Sequence, residues 1–294
     1  MSLISRLSIK GQDDDPEDFL SSALGTIFPD DVTNLHGEPG DALVYTSPHL
    51  AGPLVLRLCE PADDKDRRLF SHYVWNSSLL LAELMEADTL GVKGAGEGRI
   101  TDVSFDVKGQ SVIELGAGTG LAGIMASLLG ASRLAITDYP ASSTMAVLRD
   151  NVSCNVNAKT APQGYTPTSA LDVQGHAWGS LDDAFSIAEK HAFDRVICAD
   201  VLWMPWQHDN LRRSIAHFLS HAAGARCWII AGLHTGRDKI TQFLNREALE
   251  KAGLKAERIW ERDCNGLERE WEEERDDDFT YRKRWLILAV LKRI

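Results

Sequence analysis

Positive charge is in short supply. The 294 residues carry 31 Lys and Arg against 43 Asp and Glu, a formal net charge of -12. A sequence-independent grip on phosphates needs a basic field, so the balance argues against a nucleic-acid or anionic-membrane binder. It suits a basic or neutral partner, or solubility alone. Cysteine is scarce as well. Cys59, Cys154, Cys198, Cys227 and Cys264 are widely spaced and form no C-x-x-C or Cys/His cluster. That speaks against a disulfide framework and a zinc site, and for reduced thiols. No apolar run approaches the ~20 residues that span a bilayer. The start, MSLISRLSIKGQDDDPEDF, turns acidic before an apolar signal core can form. A cytoplasmic protein, with the nucleus as an alternative location, is expected. No internal repeat is present, and the sequence carries no sign of its oligomeric state.

At 32.4 kDa with 44% hydrophobic residues, the chain can bury a sizeable core unaided. Three regions are expected. Residues 1–35, with the run DDDPED and few bulky apolar side chains, read as an acidic, partly disordered lead-in. Residues 36–110 read as an extension. In it, prolines 48, 53 and 61 punctuate an extended segment with a strand-like LVLRL, and LFSHYVWNSSLLLAELME has helical spacing from Phe70 to Leu84. Asn76 or Ser77 can cap that helix, and the Gly-rich ADTLGVKGAGEGRITD follows as a flexible insertion. Residues 111–294 read as the core, in which strand and helix alternate from SVIEL through RLAIT, a weak strand near 169–174, FDRVICAD and ARCWIIAG. KITQFLNREALEKAG reads as one helix stopped by Gly253. KAERIW and RWLILAVLK close the chain with no helical pattern between them, so the last strand should run antiparallel to its neighbour. The expected fold class is α/β: a Rossmann-like, doubly wound, mostly parallel seven-stranded sheet with an antiparallel C-terminal strand.

The stretch VIELGAGTGLAG fits two cofactor fingerprints. Gly118, Gly120 and Gly123 spell the G-x-G-x-x-G of dinucleotide enzymes; Glu114, Gly116, Gly118 and Gly120 spell the acidic-x-G-x-G-x-G of S-adenosylmethionine enzymes. A pyrophosphate favours a helix N-terminus with no anion beside it. S-adenosylmethionine instead carries an ammonium and a sulfonium, for which Glu114 is favourable. Asp138, ending the second strand in TDYP, suits ribose hydroxyls in either class. Glu114 and the antiparallel ending therefore favour the methyl donor, with Gly123 as a packing residue inside the helix. A glycine loop that binds nothing is the bland alternative.

Read beside ELGAGTG, the stretches VWNSSLLLAELM, ITDYP, HAWG and ADVLW resemble the seven-β-strand methyltransferases of lysine methyltransferase family 16. Within it they are most similar to fungal enzymes once labelled nicotinamide N-methyltransferase-like, including elongation factor 1-alpha N-terminal and lysine methyltransferases. The resemblance runs from about residue 54 to 290. It implies a cofactor site of Trp75, Glu114, Gly116, Ala117, Gly118, Gly120, Asp138, Tyr139, Trp178 and Ala199. It also implies that Asp200 opens the acceptor motif D-x-x-Y or D-x-x-F, here DVLW with Trp203 in the aromatic place. Asp200 and Trp203 are thus the expected catalytic residues, and no metal is expected. An indole still offers a π-face to a cation but lacks the phenol oxygen.

Each residue has a plainer reading. Trp75 in an amphipathic helix can be core, Asp200 can cap the next helix, and Trp206 can pack on the sheet. His208, His217 and His221 read as surface or core histidines. The implied activity is N-methylation of a protein lysine or N-terminal amine, a translation factor being one candidate partner. A small-molecule amine acceptor, or a scaffold that binds the cofactor without catalysis, are the alternatives. Neither nucleic acid nor membrane is an expected partner.

Overall fold

The computed structural model describes residues 3–10, 34–64, 70–94, 98–276 and 278–294. Short elements come first: β1 (Leu7–Ile9), β2 (Leu35–His36), β3 (Ala42–Tyr45), β4 (Leu54–Arg57), β5 (Val74–Trp75) and helix α1 (Asn76–Leu90). The core follows as β6 (Ser111–Leu115), α2 (Leu121–Leu128), β7 (Arg133–Asp138), α3 (Ser142–Asn155), β8 (Leu171–Gly175), α4 (Ala184–Ala188), β9 (Arg195–Ala199), α5 (His208–Phe218) and β10 (Arg226–Gly232). It ends in α6 (Arg237–Leu244), α7 (Arg246–Lys251), β11 (Leu254–Asp263), β12 (Glu268–Glu270), α8 (Phe279–Arg282) and β13 (Trp285–Arg293).

The main sheet has the strand order β12-β11-β13-β10-β9-β6-β7-β8. Strands β10, β9, β6, β7 and β8 are mutually parallel, while β13 runs antiparallel to both β10 and β11. The expected doubly wound sheet with an antiparallel last strand is therefore present. It has eight strands rather than seven, because the charged stretch after β11 folds back as β12. Both faces of the sheet are covered, which is why its central strands are continuous apolar runs. In β13, Leu286, Leu288 and Val290 join one core cluster with α1, α2 and α3. Trp285, Ile287, Ala289 and Leu291 join the other, with α5, α6 and α7. From β6 the chain winds outward through β7 and β8, then crosses to β9 and β10. The strand order thus reverses between β6 and β9, and the crevice for a ligand opens beyond their carboxyl ends.

The N-terminal reading needs four corrections. Residues 3–10 of the lead-in are built into the fold: β1 pairs with β3, and Leu3 is buried. The run DDDPED lies outside the described residues. The helix starts at Asn76, not near Phe70, because Val74 and Trp75 are extended and pair with β2. No side chain caps it, and Trp75 stands at the N-cap. The Gly-rich insertion is anchored on either side of its undescribed residues 95–97. Gly91 in the left-handed region ends α1, Arg99 pairs with Asp88 at 2.9 Å, and Phe105 is buried. Elsewhere, the single helix expected before Gly253 is broken at Asn245, whose carboxamide accepts the Ala248 N–H to start α7. β4 is sewn to α3 by side chains. The carboxamides of Asn151 and Asn155 bond both backbone groups of Arg57 and Val55 at 2.8 to 2.9 Å, standing in for a partner strand.

Candidate functional site

A cleft of about 420 Å³ opens at the strand-order reversal. That is large enough for a nucleoside-sized ligand. Its floor is the turn after β6. There Gly116 and Gly118 have φ of +75 and +54, a region that L side chains rarely adopt. A Cβ on Gly116 would stand 2.8 Å from Val201 and 3.0 Å from Trp178, so glycine is what lets the two sides of the crevice close on each other.

Five amide donors of the turn and the start of α2 are spent inside the protein. Gly116 and Ala117 N–H both reach the Thr137 carbonyl at 3.0 Å, Gly118 donates to Asp138 Oδ2 at 2.6 Å, and Gly120 donates to the Ala117 carbonyl. Gly123 donates to Glu114 Oε2 at 2.9 Å. A pyrophosphate depends on such amides being free, and these five are not available to one. Among the described residues no Lys or Arg lines the cleft, whereas the carboxylates of Asp138 and Asp200 do. The site is electrostatically suited to a cation.

This answers the question of the glycine turn by a route other than the expected one. Glu114 does not line the cleft. Side chains alternate along β6, and Glu114 shares its face with Val112, turned toward α2. Its carboxyl lies within contact distance of where a Gly123 Cβ would be. Burial pushes it up to about 8, the Asp138 charge adding to the effect and the Gly123 amide opposing it. A mainly neutral acid locked to a helix amide is a structural brace, so the expected direct contact between Glu114 and a cationic ligand is corrected. Gly120 is likewise outside the lining. It starts α2 with φ +83, and a Cβ there would strike Leu148.

Asp138 sits where expected. Oδ2 accepts from Gly118 and Oδ1 from the Tyr139 amide at 2.7 Å, which orients the carboxylate and leaves further lone pairs on each oxygen. Burial raises it to about 6, against the lowering effect of those two amides. Tyr139, half exposed, lines the cleft beside it, with Ala117, Trp178 and Ala199.

At the other end, Asp200 follows β9 with φ +57, a left-handed conformation that aspartate tolerates better than most residues. Its side chain is 4% exposed. Ser77 of α1 donates its hydroxyl to Oδ2 at 2.8 Å, and Gly232 N–H lies 3.5 Å from Oδ1. Aromatic rings wall the mouth around it. Phe70 meets Trp203 edge to face at 5.3 Å and Trp75 at 6.5 Å, and Trp206 meets Trp203 at 6.4 Å. The Trp75 indole N–H donates to the Phe70 carbonyl at 3.2 Å.

Several lining or supporting residues were not read as site residues in the sequence: Phe70, Tyr73, Ser77, His176 and His234. His176 bonds Ser214 Oγ at 3.0 Å through Nε2, while its buried Nδ1 has no partner among the described residues. Burial lowers its pKa to about 4, so it is neutral. The position of His176 and His234 just past the ends of β8 and β10 was a usable signal, since ligands of such sheets sit at strand ends.

The lysine methyltransferase family model matches residues 62–250. The chain belongs to the lysine methyltransferase family. S-adenosylmethionine is the cofactor that membership implies, and the cation-suited cleft with its oriented Asp138 fits it. Among similar proteins is the Gibberella zeae protein N-terminal and lysine N-methyltransferase EFM7, 28% identical over 51% of this chain and 52% of that one. The Yarrowia lipolytica protein of the same name is 27% identical over 66% and 68%. The Xenopus tropicalis EEF1A lysine methyltransferase 3 is 32% identical over 47% and 46%. The matched part of this family member thus spans about half to two thirds of the length of these relatives. Among the described residues, no helix is long and apolar enough to cross a membrane and no side-chain cluster could hold a metal ion.

Proposed function

We propose that the chain is an S-adenosylmethionine-dependent N-methyltransferase acting on a lysine side chain or N-terminal amine of a protein, in the cytoplasm or nucleus. The observation that carries it is a buried carboxylate, Asp200, set at an aromatic mouth beside the glycine turn. When bound, S-adenosylmethionine supplies an electrophilic methyl group on a sulfonium.

The chain's own residues then have four tasks. Asp138 would hold the ribose hydroxyls through its remaining lone pairs, with Tyr139 and Trp178 beside the adenine and Gly116, Ala117, Gly118 and Ala199 allowing close approach. Trp75 and Trp203 would wall the acceptor channel and exclude water. A lysine desolvated between such rings loses its proton more readily. Asp200 would accept an N–H of the incoming amine and hold it in line with the methyl, an alignment that can supply a large share of the rate gain of a displacement reaction. The names of the relatives make a translation factor the first acceptor to try. The acidic surface would help to draw in a basic segment.

Trp203 also favours a second reading. With Phe70 and Trp206 it gives a flat aromatic acceptor rings to stack on, as a small-molecule substrate would require. One experiment separates the two. The protein is incubated with radiolabelled S-adenosylmethionine and a cell lysate, and separately with a small-molecule extract, and the labelled fraction is followed to a modified residue by mass spectrometry. Label on protein amines, lost in Asp200→Asn, is expected. Label confined to small molecules would overturn the protein reading.

A further inference from the structure

His234 lies in the turn after β10, the strand next to β9, and it touches both halves of the acceptor site. Its Nε2 is 3.5 Å from Asp200 Oδ1. Its ring face stacks on the Trp75 indole, with centroids 5.0 Å apart and planes inclined by 27°. The side chain is only 24% exposed. Gly232 makes this arrangement possible: a Cβ there would stand 2.7 Å from His234 Nδ1 and 3.6 Å from Asp200 Oδ2.

We infer that His234 is a positioning residue for methyl transfer, holding the Asp200 carboxylate through Nε2 and the Trp75 wall through its ring face. The inference rests on the methyltransferase reading above.

Among the described residues, Asp200 has one strong internal partner, Ser77 on Oδ2. On Oδ1 the only backbone donor among them is the Gly232 amide at 3.5 Å, too long for a firm bond. A carboxylate fixed by one oxygen can still turn about that contact. A second donor on Oδ1 fixes its plane, and the imidazole tautomer carrying its proton on Nε2 is the side-chain donor placed to supply it. The separation closes to a normal hydrogen bond with a movement of a few tenths of an ångström, the kind of tightening that ligand binding brings to such sites. Trp75 is similarly fixed on one edge by the Phe70 carbonyl. The imidazole presses on its face, so one side chain ties the acid to the wall that guides the amine. A misplacement of about 1 Å at a reacting pair can cost on the order of 100-fold in rate.

The two contacts can be removed one at a time. His234→Phe keeps a ring against Trp75 and loses the donor; His234→Gln keeps a donor that reaches as far as Nε2 and loses the stack. Kinetics are measured on the full chain with labelled S-adenosylmethionine and the acceptor identified in the lysate experiment. The Phe variant is expected to lose about 10-fold in kcat with acceptor KM within about twofold. The Gln variant is expected to recover most of kcat and to raise KM. Cofactor affinity by calorimetry should be unchanged in both. A Phe variant with wild-type kcat, or equal losses in the two variants, would overturn the inference.

A second measurement needs no acceptor. The His234 imidazole resonances should move when Asp200→Asn is introduced, and their failure to move would show that the contact is absent. Wild-type protein that labels no amine, with responsive His234 resonances, would instead sink the functional reading while leaving the contact in place.

Discussion

Replacing Glu114 by glutamine separates two roles for the acid of the glycine turn. The carboxyl is buried against α2, accepts the Gly123 N–H, and is pushed up to about 8 from an ordinary 4.5. At neutral pH it is therefore mainly protonated in the folded protein and ionised in the unfolded chain. Because the folded value lies above the unfolded one, the native state binds the extra proton between those two pH values. Its contribution to stability is full below 4.5 and is lost as pH rises toward 8. The slope is at most about 1.4 kcal/mol per pH unit, so between about pH 5.5 and about pH 7.5 this one group removes roughly 2 to 3 kcal/mol.

Glutamine keeps an acceptor for Gly123 and does not titrate. The stability of wild type relative to the variant should fall by that amount over the same interval, measured by urea unfolding of both proteins at the two pH values. Because Glu114 does not line the cleft, S-adenosylmethionine affinity should stay within about threefold, whereas a lost direct charge contact would cost about 10-fold or more. A stability difference that does not change with pH would refute the buried-acid reasoning. A collapse of cofactor affinity in a stable variant would refute the placement.

Four further outcomes are expected. Gly123→Ala would put a Cβ 2.5 Å from Glu114 Oε2 and 2.7 Å from Ile136 Cγ1. It should cost about 2 kcal/mol or more in chemical denaturation, and a neutral result would mean that α2 and β6 are less closely packed. Asp138→Asn presents an NH₂ to one of two backbone amides that now donate to a carboxylate, and should weaken cofactor binding by about 10-fold or more in calorimetry. In wild type, affinity should fall as pH drops through about 6, where Asp138 gains its proton and loses acceptor capacity. Affinity constant between pH 5 and 7.5 would count against the ribose role. Trp206 is 71% exposed, so Trp206→Ala should leave the melting temperature nearly unchanged while shifting acceptor KM about fivefold, measured with the identified acceptor. An unmoved KM would place Trp206 outside the acceptor path.

Much of the core was legible because its signals are local. The apolar runs of β6, β9, β10 and β13 and the glycine stops after α2 and α7 depend on neighbours a few residues away. The errors fall where a distant partner decides. Phe70 to Trp75 carries apolar residues at helical spacing, yet β2 pairs with Val74 and Trp75 and holds them extended. The short β12 exists because β11 offers it an edge, not because ERE is a strong strand sequence. Residues 3–10 looked like part of an acidic tail and are fixed by β3.

The same division runs through the site. Strand-end positions and residue types placed Asp138, Asp200 and the glycines Gly116 and Gly118 together, since a doubly wound sheet brings strand ends to one crevice, while Trp178 was implied only by the family resemblance. Which way a side chain turns at those ends is set by packing. Glu114 faces a helix amide because strand alternation sends it there, and Ser77 and His234 reach Asp200 from elements 123 and 34 residues away in sequence. By itself the sequence determined the order of strands and helices and the chemical character of the crevice, because both follow from local periodicity and chain direction. Only the tertiary structure decided which acid is a brace and which faces the ligand, because burial and hydrogen-bond partners exist only after distant segments have met.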